Sequence, residues 1–222
     1  MMLMNKKTLV TRLLLSTALL TSLISPAVLA NPDQSLINQY NLAADGESGL
    51  ADSVYDQLNA LIAREGAKPL SLVYLGSTQT LQGRDAFLPW NKMKFTEEGL
   101  ATISKGIGML NTLPASLSEQ QRIQGLPEGY LARAMAAATF TSLPDMFNHF
   151  ERGYELYLEL LAEPDFQAQS FAATSWVYRY AIQAALRAED LPQAKSWLSE
   201  MEHRDRDNLD TRAAQAQVNS QG

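Results

Sequence analysis

The chain has 222 residues, 46% hydrophobic and 19% charged, with no cysteine and a net charge of −6. That composition excludes wholesale disorder, a disulfide scaffold, a cysteine nucleophile and a thiolate metal site. The length suits one or two domains on a scale of about 100–200 residues each.

In chain order, the first signature is export. Lys6, Lys7 and Arg12 form a basic start, and Leu13 to Ile24 is mostly apolar. Pro26 follows, and Val28-Leu29-Ala30 supplies the small and aliphatic residues of a cleavage site after Ala30. Residues 1–30 therefore read as a cleaved signal peptide, and the expected destination is the periplasm. Ser16, Thr17, Thr21 and Ser22 interrupt the apolar stretch too early for a span of roughly 20 residues. Three of the eighteen Lys and Arg fall in this segment, and none of the twenty-four Asp and Glu does. The remainder then carries a net charge of −9. Such a surface is repelled by nucleic-acid phosphates and anionic lipid heads, so neither is an expected partner.

The rest of the chain holds 25 Leu against 6 Ile and 4 Val, a balance that favours helices. Apolar residues recur at intervals of three and four, the helical period. Leu50, Val54, Leu58 and Leu61 make a first stripe ending near Gly66. Leu70, Val73, Tyr74 and Leu81 make a second, closed by Gly83. Residues 84–95 break the pattern and read as an insertion loop. Thr96 caps a third stripe, Leu100, Ile103, Ile107 and Leu110, stopped by Pro114. Ser118 and Gln121 suggest a short capped turn closed by Gly125. A fourth helix runs from about Glu128 to Thr141. A fifth restarts at Ser142 and carries Phe147, Phe150, Tyr154, Tyr157 and Leu161 to Pro164. A sixth is predicted from about Phe166 to Ala188. A seventh begins at Asp190 and Pro192 and carries Leu198 and Met201. Residues 203–222 are polar and read as a flexible tail.

The predicted fold is all-α, one helical domain over 31–202, with antiparallel hairpins stacked as a solenoid or packed as an irregular bundle. Leu72, Leu75, Gly76 and Gly83 carry the spacing of the first helix of a tetratricopeptide repeat, and Pro114 resembles its closing proline. Ala181, Ala185, Ala194, Leu198 and Met201 fit the length of a last hairpin, although Ile182 stands where the repeat carries glycine. The chain thus resembles tetratricopeptide-like proteins from about Leu70 to Glu202. Gly83-Arg84-Asp85-Ala86, Pro89-Trp90-Asn91-Lys92 and Glu98-Gly99-Leu100 are also similar to a pattern in exported bacterial proteins that carries no known chemistry. The tetratricopeptide resemblance implies binding of a peptide or protein in a concave groove, without a cofactor.

The candidate partner-binding residues lie mainly at 84–95. Arg84, Lys92 and Lys94 bring positive charge to an acidic chain, with Phe87, Trp90 and Phe95 interleaved. Arginine and large aromatics are common interface anchors. The alternative is that these aromatics fold inward and fill a gap. Tyr178 and Arg179 are further groove candidates. A second functional reading is a binding protein for a small apolar or acidic ligand, in a pocket lined by Phe147, Phe150, Tyr154 and Trp176.

A third reading, a carboxylate-pair hydrolase built on Glu97 and Glu98 or Glu151 and Glu155, has little behind it. Those acids sit where solvated helix carboxylates are normal. Gly46-Glu47-Ser48-Gly49 is too short for a nucleophile elbow, and no metalloprotease or phosphate-loop pattern occurs. Asp145 and His149 lack the third and fourth ligands of a metal site. The expected function is a non-catalytic scaffold or adaptor for another envelope or exported protein, without cofactor or metal, as an accessory of a transport or assembly system.

Overall fold

A computed structural model describes residues 31–220. The signal-peptide reading of residues 1–30 lies outside them. Among the described residues the structure is all-α, with ten helices and one two-stranded hairpin.

Four hairpins follow one another. Helix α1 (Gln34–Ala44) pairs with α2 (Leu50–Glu65), and α3 (Pro69–Asp85) with α4 (Pro89–Gly108). Helix α5 (Glu128–Ser142) pairs with α6 (Phe150–Ala162). After the one-turn α7 (Pro164–Gln167), α8 (Phe171–Arg187) pairs with α9 (Leu191–Asp205). A last helix, α10 (Leu209–Asn219), packs on both α8 and α9. The first helix of each hairpin also packs on the first helix of the next, so α1, α3, α5, α8 and α10 form an inner row. The other members of the hairpins form an outer row. This is how amphipathic hairpins too small to bury their own faces build a continuous core.

Local chemistry sets the boundaries. The Asp33 carboxylate caps α1 by accepting from the Leu36 N–H at 2.8 Å, and Asp190 caps α9 through the Gln193 N–H at 3.1 Å. Prolines occupy the first turns of α3, α4, α7 and α9, where a missing N–H costs nothing. Helix α3 is central and buried on nearly every side. Gly76 on it faces Gly99 of α4, Gly83 faces Thr96, and Gly106 of α4 faces Pro69, Leu72 and Val73, so the two backbones come close together.

Three expectations are corrected. Residues 84–95 are not an insertion loop: α3 runs to Asp85 and α4 begins at Pro89. The short turn at 118–125 is a β-hairpin, β1 (Arg122–Ile123) against β2 (Leu126–Pro127). Gln124 and Gly125 both take positive φ there, as a two-residue primed turn requires. Residues 203–222 are not a loose tail over their described length. His203–Asp205 complete α9, and α10 buries Thr211, Ala214 and Val218.

Candidate functional site

Helices α1, α3, α5 and α8 of the inner row, together with α4 and the α5–α6 connection, line a cleft of about 1340 Å³. Helix α1 contributes Tyr40 and Asn41, and α3 contributes Thr80, Leu81 and Arg84. Helix α4 adds Pro89, Lys92, Met93 and Thr96, and α5 adds Met135, Ala138 and Thr139. The α5–α6 connection supplies Leu143, Met146 and Phe147, and α8 supplies Trp176 and Tyr180. These positions recur at three and four residues along each helix, so each helix turns one face to the cleft.

The walls are mostly apolar, and the polar groups behind them are tied to the frame. The Ser77 and Thr139 hydroxyls meet at 2.8 Å and join α3 to α5. Tyr40 stands edge-on to the buried Tyr74, ring centroids 5.0 Å apart. Burial pushes the Tyr40 hydroxyl up to about 12, against a smaller opposing effect of Ser77, so it stays protonated. Three of the five methionines in the described residues, Met93, Met135 and Met146, face the cleft. Unbranched thioether chains suit a surface that adapts to varied contacts.

The candidate residues fall into three groups. Arg84 and Lys92 line the cleft. The Arg84 guanidinium donates to the Ala43 carbonyl at 2.8 Å and the Ala44 carbonyl at 3.0 Å, closing the end of α1, and pairs with Asp85 at 2.7 Å. Arg84 is therefore largely spoken for. Lys92 donates to the Arg84 carbonyl at 2.8 Å and has no carboxylate partner among the described residues.

Phe87 and Trp90 stand at the α3–α4 turn, 93% and 65% exposed, beside the cleft residue Pro89. The alternative of inward-folded aromatics does not hold for these two, while Phe95 is half-buried. Lys94 is exposed, pairs with Glu98 at 3.9 Å, and does not line the cleft.

Tyr178 and Arg179 are corrected as groove residues. Tyr178 is 1% exposed and packs in the core against Phe166 and Phe171, with Arg204 over its ring. Its place on α8, two residues after Trp176, turns it to the opposite face. Arg179 pairs with Asp210 of α10 at 2.8 Å and lies over the Tyr180 ring at 4.5 Å. It backs a cleft residue without being one. The spacing Ala173, Trp176, Tyr180 was the signal that identifies the cleft face of α8.

Of the four residues expected around a small-ligand pocket, Phe147 and Trp176 line the cleft. Phe150 and Tyr154 do not. They stack at 6.3 Å, with Arg187 over Phe150 and the Tyr154 hydroxyl donating to Asp190 at 2.9 Å. Asp145 pairs with Arg187, and His149 Nδ1 lies 2.6 Å from the Phe147 carbonyl. Among the described residues no three His, Asp or Glu side chains gather as a metal-holding group, and no helix is long and apolar enough to cross a membrane.

The geometry defines a preformed, largely apolar cleft on the inner face of an all-α stack of hairpins. The chain matches no protein-family model, no curated protein and no solved structure with which it was compared.

Proposed function

We propose that the protein is a non-catalytic scaffold of the bacterial cell envelope whose cleft receives an apolar segment of another exported protein. The observation that carries this reading is the cleft itself, with its volume of about 1340 Å³ and its walls drawn from successive hairpins. Small-molecule pockets run to about 300–1,000 Å³ and enclose most of their ligand. A larger trough, open along the helix stack, suits a peptide.

Energetics point the same way. A fully buried Leu- or Phe-sized side chain contributes about 1.5–3 kcal/mol. Association costs about 4–15 kcal/mol in lost freedom. Several anchors are therefore needed at once, and a segment of chain supplies them. Helix α8 holds Trp176 and Tyr180 in place before binding, which limits the ordering cost. Lys92 offers a cation to a carboxylate on the incoming segment. Phe87 and Trp90, next to the cleft at the α3–α4 turn, extend the contact beyond it.

The test is site-specific photo-crosslinking in the producing cell's envelope, with the crosslinker at Trp176 and, as a control, at the exposed Glu155 on the outer helix α6. A discrete protein adduct from Trp176, absent from Glu155 and lost in Trp90→Ala, supports the scaffold. A bound small molecule seen instead by native mass spectrometry selects the ligand-binding reading.

A further inference from the structure

Away from the cleft, Glu128 at the start of α5 is 3% exposed. A carboxylate this buried normally faces a cation. Among the described residues no Lys, Arg or His pairs with it. Its donors are neutral: the Asn31 side-chain amide, in a short contact, and the Gln121 backbone N–H at 3.3 Å. Asn31 is itself only 6% exposed, and its amide also donates to the Gln121 side chain at 2.9 Å. Its Oδ1 is buried with no donor. The site thus holds an unneutralised carboxylate and an unpaired carbonyl, and lacks a positive donor.

The missing cation is one proteolytic step away. We infer that the chain is cut between Ala30 and Asn31, and that the α-ammonium released on Asn31 is the counter-ion of Glu128, locking the new N-terminus onto α5. In the uncut chain the Asn31 nitrogen is a neutral amide with one N–H. After hydrolysis of the Ala30–Asn31 bond, water supplies the oxygen of the Ala30 carboxylate and the amine takes up a proton. An α-amino group titrates near 8 when unperturbed, so it is mostly charged at neutral pH. Four bonds separate the Asn31 α-nitrogen from its side-chain nitrogen, which keeps the ammonium within about 7 Å of the Glu128 carboxylate. Within that range an ammonium attracts a buried carboxylate strongly, because little water screens the pair. Its three N–H donors also serve the orphaned carbonyl.

The neighbouring charges leave this role open. Asp33 is exposed and engaged in capping α1, and the Arg122 guanidinium is held by the Gly125 carbonyl and by Gln169. Pro32, also buried, restricts Asn31 to extended backbone and so fixes where its nitrogen emerges. Both sides of the cut contribute: Val28-Leu29-Ala30 offers a cleavable sequence, and the Asn31–Glu128 socket receives the product.

The experiment expresses the full chain for export and reads the mass and first residue of the product. It then measures thermal midpoints for four proteins: the native chain, a Gly-Ser insertion between Ala30 and Asn31, Glu128→Gln, and both changes together. The insertion displaces the ammonium without removing it. The expected result is a product beginning at Asn31, with a midpoint lowered about 3–6 °C by the insertion in the native background. In the E128Q background the same insertion shifts it by less than about 1 °C. An independent arm follows acylation of the α-amine at neutral pH, expected to be about tenfold slower in the folded native product than after unfolding in urea. A product with another first residue overturns the inference. So does an insertion effect of equal size in both backgrounds, or an α-amine that reacts equally fast folded and unfolded.

Discussion

Gly76 and Gly99 press together so closely that a Cβ on either would stand 2.5 Å from the other's carbonyl oxygen. The atoms that would have to yield are backbone, which cannot rotate away. Gly76→Ala or Gly99→Ala therefore forces α3 and α4 apart. Overpacking typically costs about 1–3 kcal/mol, and backbone obstruction puts these substitutions at the upper end. Helix propensity alone would predict a gain of about 1 kcal/mol from the same change. Urea denaturation decides between the two, with a lower midpoint expected. Gly108→Ala is the control, since nothing lies within 4 Å of its added Cβ.

Trp90 and Phe166 make opposite use of an aromatic ring. Trp90 is 65% exposed, whereas Phe166 is fully buried between Tyr130 and Tyr178. Trp90→Ala is expected to change stability by no more than about 0.5 kcal/mol, as at surface positions without special contacts. Phe166→Ala should cost about 3–5 kcal/mol. Chemical denaturation of the two variants checks this. It also makes Trp90→Ala a clean probe of partner binding, free of a folding defect.

Most of the helices were legible because apolar residues mark the buried seams. The stripe through Leu50, Val54, Leu58 and Leu61 defines α2, and Gly66 ends it as expected. The first two turns of α4 were missed because their apolar residues point to solvent or to the cleft. Pro89, Lys92, Met93 and Thr96 nevertheless follow helical spacing, and Pro89 sits where a helix begins. Helix α10 was missed for a related reason. Its buried face consists of Thr211, Ala214 and Val218, residues too small or polar to stand out in an Arg- and Gln-rich stretch. The cleft could be anticipated only in outline. It joins residues as distant as Tyr40 and Tyr180, and no local pattern brings these together.

Helix α10 closes the stack through specific bonds. Its Asp210 accepts from the Ser175 hydroxyl at 2.7 Å and pairs with Arg179 at 2.8 Å, both on α8. A chain ending after Arg206 would leave Arg179 without this partner and uncover the face of α8 beneath Ala214 and Val218. The expected result is a midpoint lower by several degrees and faster hydrogen exchange in α8 and α9. Exchange unchanged in those helices would show that α10 rests on the stack without supporting it.

Six tyrosines, Tyr40, Tyr74, Tyr130, Tyr154, Tyr157 and Tyr178, have hydroxyls pushed upward, in each case chiefly by burial. Tyr40 and Tyr130 reach about 12. Below the unfolded value of about 10, both states hold these protons and the groups leave stability unchanged. Above it the unfolded chain loses protons that the folded chain retains, so stability falls as pH rises through the folded values. The protein should therefore unfold cooperatively in alkali above about pH 10. Absorbance near 295 nm should rise in step with the loss of helical circular dichroism. Smooth ionisation of all tyrosines while the helices persist would contradict this account.

Arg187 links the core to the cleft. Its guanidinium donates to the Thr141 carbonyl at 2.6 Å and to the Leu143 carbonyl at 3.1 Å, pairs with Asp145, and lies 4.5 Å from the Phe150 ring centre. Those bonds hold the segment from Thr141 to Phe147, which brings Leu143, Met146 and Phe147 to the cleft wall. Lysine has the charge but lacks the planar fork that serves two carbonyls while stacking on a ring. Arg187→Lys is therefore expected to lose about 1.5–3 kcal/mol, the range for hydrogen bonds to a charged group. Crosslinking from Trp176 should fall as well, while the helical spectrum stays intact. Asp145→Asn removes only the exposed carboxylate of the pair, 87% accessible, and should change little. Equal effects of the two substitutions would assign the wall's order to the ion pair rather than to the carbonyl bonds.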